Sequence, residues 1–249
     1  AIAESAEPPT FANTIEALEL ADATLEKVAG VFYNLAGSDS NEARQALQRE
    51  FAPKLSAHAS QITNNRALFA RIDELWQRRD GLGLSAEQMR VLELTHRSFT
   101  RAGAALEGAA RDRLTEVKSR LAVLGTEFTQ NLLADERDWV MALSEEDLEG
   151  LPDFVVAAAR EAGREKGQEG PVVTLSRSLI VPFLFSPRRD LRATAYRAWA
   201  ARGMNGGATD NRGIAAEVLA LRAERATLLG YDSFAAYKLE TEMAGTPGA

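Results

Sequence analysis

The chain has 249 residues, 29 Lys and Arg against 36 Asp and Glu, a formal net charge of -7 and no cysteine. That acidic balance argues against a nucleic-acid binder, which needs clustered cations in excess. The missing cysteine removes disulfides and thiolate metal sites and fits a reducing, cytosolic compartment. A hydrophobic share of 45% is enough for a globular core.

Ala1 to Pro9 is acidic and lacks the basic-then-apolar order of a signal peptide. The first residue is not Met, which leaves open a processed presequence. Asn13 with Glu16 three residues later predicts a capping box. Leu18, Ala21, Leu25, Val28, Phe32 and Leu35 then recur at three-four spacing on one helix face. Gly37-Ser38 ends that helix, and Asp39 with Glu42 predicts the next start. Its face is Leu47, Phe51, Leu55, His58 and Ile62, and Pro53 within it predicts a kink near Phe51.

Asn64-Asn65 opens a shorter helix carrying Leu68, Phe69, Ile72, Leu75 and Trp76. Beyond the Asp80 to Gly83 loop, Ser85 and Gln88 predict another capping box, followed by a seam of Met89, Leu92, His96 and Phe99. Gly103 and Gly108 flank Leu106 and predict a break. The helix resumes with Leu114, Val117, Leu121, Leu124 and Phe128. None of these helices can hide its apolar stripe alone, so an antiparallel, layered bundle is expected.

The middle changes character. Asp138 to Leu143 and Gly170 to Ser176 read as short strands, with a helix from Pro152 to about Arg164 and a polar loop from Gly163 to Gly170 between them. The longest apolar run, Leu179 to Phe185, falls well short of the roughly 18 to 20 residues of a membrane span, so no membrane association is expected. Helices return at Arg188, first with Leu191, Ala195 and Trp199 on one face. Asp210 then caps a helix through Leu229, and Ser233 opens another. Thr246-Pro247 has the order of an N-cap and first-turn proline, and the chain stops two residues later, as if a helix had been cut at its start. The expected fold is mostly α, a multi-helix bundle-like lobe with a small two-stranded β insertion. Its expected divisions are residues 1–136, 137–187 and 188–249.

Catalytic chemistry is absent from the residue pattern. Only His58 and His96 exist, neither in an H-E-x-x-H, and both fall on apolar seams. Each therefore reads as a packed histidine with a hydrogen-bond partner rather than a metal ligand. There is no G-x-S-x-G elbow and no cysteine nucleophile. Glu145-Glu146-Asp147 reads as acid at a helix start. Gly203-Met204-Asn205-Gly206-Gly207 lacks the Gly-Lys-Ser/Thr of a phosphate loop and reads as a helix terminator and turn. No catalytic, metal or substrate-binding residue is assigned from these patterns, and no cofactor.

Four segments carry a resemblance: Pro9 to Glu16, Tyr33 to Asn41, Gly150-Leu151-Pro152, and the block from Arg188-Arg189-Asp190-Leu191-Arg192 through Arg202 to Asn211 to Leu228-Leu229-Gly230-Tyr231. In this order they resemble the N-terminal part of the zinc metallopeptidases that include oligopeptidase A, peptidyl-dipeptidase, thimet oligopeptidase and neurolysin, leaning to the bacterial peptidyl-dipeptidase branch. The resemblance implies a mostly helical, neurolysin-like N-terminal lobe lining a channel for short peptides. It also implies zinc in the parent protein, held by an H-E-x-x-H helix and a further Glu that no position here matches.

On that resemblance the segment is expected to be non-catalytic, with the missing C-terminal catalytic lobe and short peptides as partners. Apolar surface left without that lobe predicts self-association. A stand-alone helical interaction module is the rival expectation, and a metal-binding domain using His58 and His96 a third.

Overall fold

The computed structural model describes residues 1–39 and 41–249; Ser40, inside the Tyr33 to Asn41 segment, lies outside them. The described residues form a mostly helical structure with one small antiparallel sheet. They divide into two compact units. The first holds Ala1–Leu114 with Leu228–Gly230, and the second Thr115–Thr227 with Tyr231–Ala249.

The first unit begins with a 3-10 turn, Ile2–Glu4, and a π-helical turn, Phe11–Glu16, then α1 (Ala17–Ala21), α2 (Ala23–Ser38), α3 (Glu42–Thr63), α4 (Arg66–Gln77) and α5 (Ala86–Ala102). Its core is Ile15, Leu68, Ile72, Leu75, Leu92 and Phe99, where the apolar stripes of α4 and α5 meet the π-turn. Each such side chain contributes roughly 1.5–3 kcal/mol on burial. Arg71 ties the N-terminal segment to α4, donating to the carbonyls of Ser5 and Glu7 and to Asn13 Oδ1 at 3.2, 2.9 and 3.1 Å.

Helix starts follow side-chain acceptors, though not always the expected ones. Ser85 and Gln88 form the predicted capping box, with bonds of 3.0 and 3.2 Å, and Asn65 caps α4 by accepting from Leu68 N. Asn13 does not start its helix. Thr10 does, its hydroxyl accepting Asn13 N while Asn13 Oδ1 accepts Thr10 N, because Thr10 is the residue with extended backbone. The predicted first helix is also interrupted at Asp22. Asp39 is likewise displaced: Asn41 caps α3 through Arg44 N, and Asp39 closes α2 while its carboxylate receives the Arg44 guanidinium at 3.1 Å.

Pro53 ends neither half of α3, which is continuous from Glu42 to Thr63. The carbonyl it orphans belongs to exposed Arg49, where water can bond it. At the end of α5, Gly103 adopts φ 101° as predicted for a break, with Ala104 N bonded to Phe99 O and Gly103 N to Thr100 O. This is a Schellman end, which favours glycine because a left-handed backbone strains other residues.

The predicted stripe on α2 is buried only in part. Leu25, Val28 and Leu35 are exposed, as are Leu47 and Phe51 on α3. Of these, Leu25, Val28, Leu47 and Phe51 line an apolar groove between the two helices, about 200 Å³ in volume.

The second unit takes in most of α6 (Gly108–Asp138), then β1 (Val140–Ala142), α7 (Asp153–Glu165), β2 (Val172–Thr174), α8 (Arg177–Phe183), α9 (Arg189–Ala200), most of α10 (Arg212–Leu228) and α11 (Phe234–Leu239). The strands pair antiparallel, Val140 opposite Thr174 and Ala142 opposite Val172. Leu148, Val155, Val173, Leu175, Ile180 and Phe183 form the heart of the core under α7, α8 and α9. The apolar run after Leu175, given no helix in the sequence reading, folds as α8 with Leu179, Ile180 and Phe183 buried. Pro182 stands in its last turn.

Candidate functional site

The two histidines are held in separate pairs. His58 Nε2 lies 2.9 Å from Asp22 Oδ2, and His96 Nε2 lies 2.8 Å from Asp73 Oδ1. His96 also stacks on Trp76 and Phe69, with ring centroids 5.0 and 5.9 Å away. His96 is a packed histidine with a hydrogen-bond partner, as its seam position implies; His58 has the partner, but its side chain is 44% exposed. Among the described residues no group of three or more His, Asp or Glu could hold a metal ion. The side chains present do not fit a zinc centre.

Two of the three acids in the run, Glu145 and Asp147, are engaged by neighbouring side chains. Asp147 Oδ2 accepts the N–H and hydroxyl of Ser144, both at 2.9 Å, and Asp147 Oδ1 accepts from Arg188 at 2.8 Å. Bonds from Ser144, then the charge of Arg188, hold the Asp147 carboxyl below the usual carboxylate range. Glu145 pairs with Arg160 at 2.7 Å. These are surface pairs that fasten loops, each of modest energy.

The segment Arg202 to Asn211 is built onto the last turns of α6. Asp135 Oδ2 accepts Gly203 N and Asn205 Nδ2, both at 2.7 Å, and Oδ1 accepts the Thr209 hydroxyl at 2.5 Å. Arg202 pairs with Glu136 and lies over the Trp199 ring at 3.6 Å. Asn211 is buried; its Nδ2 donates to Phe128 O, its Oδ1 accepts from Asn131, and its N–H reaches Gly203 O. Gly203 has φ 69°, and a Cβ there would stand 3.0 Å from Asn211 Nδ2. The turn therefore terminates α9 and seats α10, the structural role its sequence suggested.

Asp210 works at the same place. Its carboxylate accepts Gly206 N and Arg212 N and pairs with the Arg212 guanidinium, which holds its pKa far below the ordinary value. It thus joins the first turn of α10, close to its expected capping role.

A second feature was invisible as a site in the sequence. On α9, Arg189, Arg192, Ala193 and Tyr196 line an open hollow of about 320 Å³ with Leu184. The Arg-Arg-Asp-Leu-Arg motif was legible, but not that Arg188 takes both Asp190 and Asp147, the latter 41 residues earlier.

Comparison with known proteins places these features in context. Residues 183–249 match the model of peptidase family M3. The chain is 36% identical to dipeptidyl carboxypeptidase of Escherichia coli over 252 aligned positions, covering 100% of this chain and 37% of that protein. Against oligopeptidase A of Salmonella typhimurium it is 30% identical, over 96% of this chain and 36% of the relative. Saccharolysin of Saccharomyces cerevisiae is 24% identical over 71% of the chain. The chain thus spans a little over a third of the length of the bacterial relatives it matches.

Proposed function

We propose that the chain forms a substrate-channel lobe of a zinc-dependent peptidase acting on short peptides and is itself non-catalytic, a reading supported by the M3 match of residues 183–249 and by similarity to dipeptidyl carboxypeptidase along the whole chain. The observation that carries this reading is the pairing of full-length similarity with the lack of any metal-holding group among the described residues. Similarity over the whole chain that takes up only 37% of the relative leaves room elsewhere in such a protein for the zinc site. Zinc belongs to that remainder, and no catalytic step is assigned to residues of this chain.

In this reading the lobe restricts substrates by shape, and its partner is the catalytic remainder of the peptidase. The half-exposed stripe of Leu25, Val28, Leu35, Leu47 and Phe51 supports an expectation of self-association when that remainder is absent. A cytosolic location is part of the same proposal, supported by the cysteine-free composition. The test is peptide turnover: the 249-residue chain with zinc leaves a quenched peptide uncut, and a longer chain that continues into an M3 catalytic segment cuts it.

A further inference from the structure

Arg188, Arg189 and Arg192 fall within five residues yet keep different company. Arg188 takes both neighbouring carboxylates, donating Nη1 to Asp147 at 2.8 Å and Nε and Nη2 to Asp190 at 3.2 and 2.8 Å. Arg192 is half-buried and donates to the Ser186 carbonyl. Arg189 is exposed and has neither a carboxylate nor a hydrogen-bond partner among the described residues. Two guanidinium groups thus stand one helical turn apart without a counter-ion.

The spacing 189, 192, 193 and 196 puts these side chains on one face of α9. There they line the hollow together with Leu184. Tyr196 is 59% exposed, and its hydroxyl has no partner among the described residues. The lining combines two guanidinium groups and a phenol hydroxyl with aliphatic and aromatic surface. A guanidinium presents a planar fork of N–H groups that matches a carboxylate or phosphate, and the stem of arginine adds apolar contact.

We propose that this hollow binds the carboxylate of a short peptide. Arg189 and Arg192 hold the oxyanion, and Leu184 with the Tyr196 ring receives the adjoining apolar side chain. The oxyanion preference stands on the geometry alone; the choice of a peptide over free phosphate rests on the peptide-channel reading. A singly charged group on an apolar body suits this lining better than a compact dianion does, since phosphate would leave the Leu184 and Ala193 surface without an apolar partner.

Calorimetric titration of the 249-residue chain with N-acetyl-Ala-Phe, its C-terminal amide and inorganic phosphate tests this. The free acid is expected to bind, more weakly as salt rises, and the amide about tenfold or more weaker, a difference of about 1.4 kcal/mol. Arg189→Ala should weaken the free acid by a similar factor while leaving the thermal midpoint unchanged, since Arg189 has no hydrogen-bond partner among the described residues. Equal binding of acid and amide, no titration of either, or no effect of R189A overturns the proposal. Phosphate binding tighter than the peptide and lost in R189A overturns the peptide ligand, and that outcome is separable from the channel reading, which is read by turnover of the longer chain.

Discussion

Asp135 accepts the backbone N–H of Gly203 through Oδ2 at 2.7 Å, joining the last turn of α6 to the turn that ends α9. The same carboxylate also takes Asn205 and Thr209. Hydrogen bonds to a charged group contribute about 1.5–3 kcal/mol each and are not additive. Asp135→Ala should therefore cost about 2–4 kcal/mol in denaturant unfolding. A cost below about 0.5 kcal/mol, the usual surface value, would contradict this anchoring role.

Glycine substitutions separate crowded from open positions. At Gly163 on α7 a Cβ would stand 2.1 Å from the Gly170 carbonyl oxygen, a backbone atom that cannot swing aside. Gly163→Ala should destabilise by about 2 kcal/mol or more. At Gly125 on α6 a Cβ meets nothing within 4 Å, and Gly125→Ala should stabilise by about 0.5–1 kcal/mol. Thermal midpoints moving in opposite directions check the pair.

The acid limb of stability follows from depressed carboxylates. Arg212 holds Asp210 low, and Ser144 and then Arg188 hold Asp147 low. As pH falls the unfolded chain takes up these protons first. The stabilisation is therefore present above the ordinary value of 3.8 and is lost as pH falls through the lower folded values. Asp210→Asn, which cannot titrate, should melt lower near neutral pH and lose less below about pH 4. Parallel pH curves for the two proteins would show that Asp210 does not contribute.

Zinc should leave the thermal midpoint where it is. A metal that binds the native state raises it by mass action, but His58 and His96 are each engaged with one aspartate. A rise on adding zinc that vanishes in His96→Gln would revive the metal-binding reading.

Much of the helical plan was legible because capping and breaking act over three or four residues. Ser85 with Gln88, Asn65, Gly103 and Ser233 all work where the sequence puts them. The misplaced starts, Asn13 for Thr10 and Asp39 for Asn41, are cases where polar residues two or three positions apart both offer a cap and backbone conformation decides. α8 was hidden because a short apolar run has no readable period. The α9 hollow was hidden for another reason: spacing alone does not say that Arg188, rather than Arg189 or Arg192, takes the neighbouring Asp190. Residue spacing likewise gave no warning that Val28 would be left 64% exposed on an otherwise regular stripe.

Peptide turnover bears most directly on the proposed channel-lobe role. The 249-residue chain, supplied with zinc and a quenched short peptide, should show no cleavage above the protein-free rate. Cleavage by this chain alone, abolished by a chelator and restored by zinc, would contradict the account.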